Sequence, residues 1–216
     1  MALTPAKTYL VAYNIVQLCG WLFILTQIVR CVLTGEDLWR ATSPPLKVFQ
    51  TMAVLEVAHT AMGLVRSNTM ITGLQVASRL FVLWCVLDYS TMARVSYGFS
   101  LTLICWTIAE IVRYAFYALN LVGMDVDPVV WARYSLFLVL YPLGITGELW
   151  TTYAALPKIA SEQPFSVGGF NWVYYMTIML MLSYIPVFPK LFGHMLSQRR
   201  KTLTSNTPEK PRKRNE

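Results

Sequence analysis

The sequence predicts an all-α polytopic membrane protein, a bundle of six transmembrane helices. Of its 216 residues 56% are hydrophobic and only 13% charged, far from the balance of a soluble domain. The apolar residues gather into runs of about 20, the length that crosses a ~30 Å hydrocarbon layer. The connections are short, the longest being "TGEDLWRATSPP" and "PKIASEQPFSVGG", so no separate domain can form outside the membrane.

The spans fall at residues 8–30, 46–65, 71–92, 98–121, 130–150 and 172–195. The first follows a single Lys7 and is too long for a signal-peptide core, so it is expected to be retained. The first and last carry no charge at their centres, whereas the middle four contain ionisable residues and rest on length and context. Residues 1–198 thus form one six-span domain. The segment 199–216 is polar, basic and proline-containing, and is expected to be a disordered tail.

That tail holds seven basic residues against two acidic ones, which accounts for five of the formal +7 charges. By the positive-inside rule it belongs in the cytosol, and an even number of spans puts the N-terminus there too. Arg30, Arg40 and Lys47 fall in the first connection, on the opposite side, but the tail's larger cluster decides the orientation. The four cysteines, Cys19, Cys31, Cys85 and Cys105, lie in or beside apolar runs without the close spacing of a zinc site or disulfide framework, and read as packing residues.

Seven ionisable groups lie within the spans: Glu56, Arg79, Asp88, Glu110, Arg113, Arg133 and Glu148. At ~3 kcal/mol each on insertion scales they would cost about 20 kcal/mol if unpaired, more than a domain's usual stability. They must face one another or water. Glu110 and Arg113 are one turn apart, and Arg79 is expected to pair with Glu56 or Glu110. Asp88 and Arg133 sit near span ends, where snorkelling suffices.

The predicted topology gathers Arg66, Arg113, Tyr117 and Arg133 at one cytosolic mouth. Such a mouth suits an anionic head group, because arginine donates two hydrogen bonds at once to a phosphate. Deeper come Glu56, His59, Tyr141 and Glu148 among Leu, Phe and Met. Together these residues describe a charged entrance to an apolar tunnel, fitting a lipid-like substrate with an anionic head. Glu56 and His59 share a helix face at a spacing that di-metal bundles use, but such bundles repeat it on a second helix. The other histidine, His194, sits at the membrane edge, so no metal is expected.

Five blocks carry a resemblance: "LEVAHTAMGLVRS" (55–67), "LQVASRL" (74–80), "WTIAEIVRYAFYAL" (106–119), "WARYSLFLVLYPLGITGELWTTYAALP" (131–157) and "SYIPVFPKLFGHMLSQRRK" (183–201). In order and over nearly the whole chain, they resemble the 3-hydroxyacyl-CoA dehydratases of very-long-chain fatty-acid elongation, also called protein tyrosine phosphatase-like proteins. The resemblance implies six spans in the endoplasmic reticulum membrane with both termini cytosolic. It implies removal of water from a 3-hydroxyacyl-CoA to give a trans-2-enoyl-CoA, with no cofactor. It also implies an elongase complex of condensing enzyme, 3-ketoacyl-CoA reductase and enoyl-CoA reductase as partners. The family's catalytic tyrosine and glutamate correspond to Tyr141 and Glu148.

Eliminating water takes a base for the proton next to the thioester and an acid for the departing hydroxyl, each contributing roughly 10²–10⁴-fold. A carboxylate in an apolar span suits the first task, and a tyrosine, protonated at neutral pH, the second. Glu148 is therefore taken as base and Tyr141 as acid, with the reverse assignment open. Their seven-residue separation keeps them on nearly one helix face but about 10.5 Å apart along it. A kink at Pro142, between Gly144 and Gly147 on one side and the preceding turn on the other, or a water bridge, is expected to close that gap. Phosphatase chemistry is excluded: Thr60 stands where the thiolate nucleophile would be and Arg66 where the phosphate-binding arginine would be, and a threonine hydroxyl cannot replace a thiolate. The alternative to an enzyme is a non-catalytic phosphatase-like scaffold of the same membrane.

Overall fold

A computed structural model of the chain describes residues 4–163, 166 and 168–205. Its first helix, α1 (Pro5–Thr34), starts where the Thr4 side chain accepts from the Lys7 amide, with proline in the first turn. It stops at Gly35, whose φ of 72° is the left-handed conformation that favours glycine. Tyr13, Gln17, Trp21, Ile24 and Ile28 of α1 are buried. Spaced three or four residues apart, they make one stripe packed on α2 (Leu38–Met52) and α6 (Tyr97–Leu121).

The second predicted span is divided. Asp37 caps α2 by accepting from the Arg40 amide, so the helix starts inside the expected connection and carries Pro44 and Pro45 within it. A turn at Ala53 separates it from α3 (Val54–Ala61). The apolar run from Leu46 to Ala61 would span roughly 24 Å even as one straight helix, short of a ~30 Å layer. Among the described residues four helices are long and apolar enough to cross a membrane, five if a bent pair counts as one span. The structure therefore gives four to five candidate spans, where the sequence suggested six.

The third span is α4 (Thr69–Phe81) running into a π-helical segment, Val82–Leu87, whose Val82, Leu83, Val86 and Leu87 are fully buried. A short α5 (Thr91–Val95) leads to α6. The bent pair is α7 (Asp127–Ser135) and α8 (Phe137–Glu162), which meet at 45° around Leu136. Helix α8 extends into the segment read as the second long connection. Helix α9 (Trp172–Ser205) packs on α7 and α8 from outside; only 6% of its apolar window is buried in protein. It enters the 199–216 segment as far as Ser205, and the rest of the expected tail lies outside the described residues.

Helix α6 is the axis of the bundle, between α1 and α8. Gly98 and Thr102 of α6 meet Gly147 and Thr151 of α8 backbone to backbone: a Cβ on Gly98 would lie 2.6 Å from the Thr151 nitrogen, and one on Gly147 2.8 Å from the Thr102 nitrogen. Small residues four apart permit this approach where lipid gives helices no hydrophobic reason to associate. Both ends of the described chain reach the same end of the bundle. There Tyr9 bonds His59 at 2.9 Å, Tyr13 packs on Tyr114, Arg133 lies over Tyr117, and Arg199 donates to Ser135. At the opposite end Lys47 pairs with Asp88 at 2.5 Å and Tyr89 donates to Glu162 at 2.6 Å.

Candidate active site

The polar residues of the spans form a ladder along α6, from Trp106 at depth to Tyr117 at the mouth, a rise of about 16 Å. Glu110 is ion-paired with both Arg79 and Arg113. Arg113 also forks onto Glu56, at 2.5 and 3.0 Å, and Tyr114 donates to the same carboxylate at 2.5 Å. Two carboxylates thus balance two guanidiniums, which removes the cost of burying them singly. Arg79 chooses Glu110, one of the two partners expected for it.

Glu148 differs from these. It is 8% exposed, and the two groups hydrogen-bonded to its carboxylate are uncharged. The Trp106 indole donates to Oε1 at 2.6 Å and the Tyr184 phenol donates to Oε2. Among the described residues it is the one buried carboxylate without an ion pair. Helix α8 holds it there because the neighbouring Gly147 lies against the α6 backbone, while Arg79 lies over the Trp106 ring, 5.4 Å from its centroid.

Tyr141 is half-buried and stacks on Phe188 and Phe192 of α9, with ring centroids 5.3 and 6.3 Å apart. Its hydroxyl has no hydrogen-bond partner among the described residues. It makes no hydrogen bond to Glu148, whose carboxylate accepts from Trp106 and Tyr184. The kink expected to unite Tyr141 and Glu148 lies at Leu136, before Tyr141, and α8 runs unbroken through Pro142. Proline at that position loses only a bond to Leu138 in the first turn of α8, so its effect is felt on the N-terminal side. The seven-residue spacing of the pair, about two turns along α8, therefore stands.

The expected mouth is only partly assembled. Tyr117 lies between Arg113 and Arg133, 5.9 and 5.8 Å from their guanidiniums. Arg113 is occupied by two carboxylates and is a pairing residue, whereas Arg133 has no ion pair among the described residues. Arg66 is exposed in the turn after α3, with no ion pair or hydrogen bond from its side chain among the described residues. Thr60 turns its hydroxyl to the Val57 carbonyl, His59 Nε2 bonds the Tyr9 hydroxyl, and the Glu56 carboxylate accepts from Arg113. His194, exposed, bonds Gln198. Asp88 is paired with Lys47 and Arg94 instead of merely reaching the interface. A concavity of about 240 Å³ lies at the opposite end of the bundle, around Gln163, Asn171 and Tyr174.

Trp106 and Tyr184 were not singled out by sequence. Both fall in the blocks quoted above, and both carry a polar tip that must find a partner in an apolar span. That requirement was a usable signal; the partner itself was not readable, because 36 and 42 residues separate them from Glu148.

Comparison with known proteins adds to this geometry. The family described as protein tyrosine phosphatase-like protein, PTPLA, matches residues 50–205. The chain is 43% identical over 213 residues to very-long-chain (3R)-3-hydroxyacyl-CoA dehydratase 2 of Homo sapiens, covering 94% of this chain and 84% of that one. It is 39% identical to the dehydratase hpo-8 of Caenorhabditis elegans, covering 94% and 98%. To the dehydratase PASTICCINO 2 of Arabidopsis thaliana it is 36% identical, covering 94% and 96%. No solved structure matches.

Proposed function

The chain belongs to the protein tyrosine phosphatase-like family, PTPLA, and from that premise we propose that the ladder ending at Glu148 is the active site of a very-long-chain (3R)-3-hydroxyacyl-CoA dehydratase. The protein is a hydro-lyase of fatty-acid elongation, acting on an acyl-CoA within a membrane. The observation that carries the assignment of the site is Glu148: a buried carboxylate held by two neutral donors and without an ion pair among the described residues. A carboxylate neutralised by arginine is a poor base; one fixed by neutral donors remains available to take a proton.

In this reading Glu148 removes the proton from the carbon next to the thioester. The C–H electrons form the double bond, the C–O bond breaks, and Tyr141 protonates the departing hydroxyl, which leaves as water. The free Tyr141 hydroxyl supports its role, and turning off the Phe188 stack would bring it along α8 toward the substrate. Return of the proton from Glu148 to Tyr141 restores the resting site. Arg133, Tyr117 and Arg66 form the phosphate-binding mouth, with Arg113, Arg79, Glu110, Glu56 and His59 as the frame beneath it.

Taken with its polar first turns, the α2–α3 pair amounts to about 36 Å of helix, and counting it as a sixth, broken crossing keeps both termini on one side, which the basic tail makes cytosolic. The membrane is that of the endoplasmic reticulum, and the partners are the condensing enzyme and the two reductases of the elongation cycle. The test is product formation: purified full chain incubated with a long-chain (3R)-3-hydroxyacyl-CoA should release the trans-2-enoyl-CoA. Glu148→Gln and Tyr141→Phe should each lose at least ~10²-fold in turnover, the lower bound for a positioned acid or base. The double variant should be little worse than the poorer single one. Near-normal dehydration by both variants would place the site elsewhere.

A further inference from the structure

Helix α9 has little buried surface, yet it supplies one of the two donors to Glu148. Its Tyr184, Phe188 and Phe192 recur every four residues and so share one stripe. That stripe runs antiparallel to α8: Phe192 faces Phe137 and Tyr141, Phe188 faces Tyr141, and Tyr184 reaches Glu148. The second donor, Trp106, comes from the central helix α6 and is backed by Arg79, which is itself tied to Glu110. One carboxylate oxygen is thus fixed to the rigid axis of the bundle and the other to a peripheral helix.

We propose that Trp106 and Tyr184 are positioning residues of the dehydration, a two-point clamp that holds the Glu148 carboxylate in the orientation from which it takes the substrate proton. The inference rests on Glu148 being the base. A carboxylate on a three-bond side chain has rotational freedom that a two-point clamp removes, and a group misplaced by about 1 Å can cost ~10²-fold in rate. Neither donor is charged, so the clamp fixes the carboxylate without neutralising it. Neither donor is assigned to the anion-binding mouth, so losing one should spare binding of the CoA end.

The experiment compares Tyr184→Phe and Trp106→Phe, in the wild-type chain and in Glu148→Gln, by steady-state and single-turnover dehydration of a long-chain (3R)-3-hydroxyacyl-CoA. Each single variant should lower kcat by about 10–100-fold, the scale of one hydrogen bond to a charged group, with KM changed less than ~2-fold. In Glu148→Gln neither should cost more than a further ~2-fold, because the group they hold is already gone. Loss of equal size in both backgrounds, or a rise in KM at constant kcat, marks simple packing and overturns the clamp. The two variants come from different helices, so if one does not accumulate the other decides. Full activity of both beside an inactive Glu148→Gln refutes the clamp and leaves the base in place. Full activity of Glu148→Gln refutes the base, and the clamp with it.

Discussion

Arg113 and Arg133 look alike in the sequence, each an arginine near the cytosolic end of a span, and the structure gives them opposite tasks. Arg113 sits between Glu56 and Glu110, with contacts of 2.5 Å to each, while Arg133 lies on the outer face of Tyr117 without an ion pair among the described residues. Removing one partner of a buried pair leaves an uncompensated charge and costs about 3–5 kcal/mol. Arg113→Gln should therefore lower the thermal midpoint and the yield of folded protein, where Arg133→Gln should leave both near wild type. Arg133→Gln should instead raise KM for the acyl-CoA with kcat at saturation unchanged, and the gap between the two proteins should shrink at high salt as the charge is screened. A thermal shift assay beside Michaelis curves at two salt concentrations separates the outcomes; an Arg133→Gln protein that loses stability but not affinity would move that residue into the frame.

Among the elements, the α6–α8 crossing positions the site most directly, because Gly147 precedes Glu148 and touches the α6 backbone one turn from Trp106. A methyl on Gly147 would meet backbone atoms, which cannot rotate away as a side chain does. Gly147→Ala should destabilise by about 1–3 kcal/mol, the usual cost of overpacking, and should lower kcat further by pushing Glu148 off its two donors. Gly98→Ala strains the same crossing from the α6 side, since its methyl would lie 2.6 Å from the Thr151 nitrogen. Gly144→Ala is the control: its methyl would lie 3.5 Å from the Cys105 side chain, ordinary contact, and the variant should melt within a few degrees of wild type. Melting temperature and turnover of the three variants check this; a Gly144→Ala protein as damaged as Gly147→Ala would show that the crossing is not the sensitive point.

For the molecule as a whole, the two ends of the described chain meet at one end of the bundle, beside Tyr9, His59, Arg133 and Arg199. With the basic tail beyond Ser205, that end should face the cytosol, and tags at both termini should be open to protease in intact microsomes. Protection of either tag would overturn the orientation. Lys47, which breaks the positive-inside pattern in the sequence, is bonded to Asp88 and lies over Trp84 at the other end, so its charge is absorbed locally and exerts little pull on topology. Composition and run length alone made this a helical membrane protein, since no other arrangement satisfies backbone polar groups in lipid without a closed barrel. The blocks around Tyr141 and Glu148 were equally legible, and so was the need for the buried charges to find partners. What only the tertiary structure decided was which groups meet. Glu110 takes Arg79, Glu56 takes Arg113, and Glu148 takes two neutral donors, through contacts 31 to 57 residues apart. The break at Ala53 and the bend at Leu136 also escaped a reading by hydropathy, which registers how apolar a run is and not whether its helix stays straight. Hydropathy is a sum over neighbours in the chain, whereas pairing, bending and burial are fixed by neighbours in space.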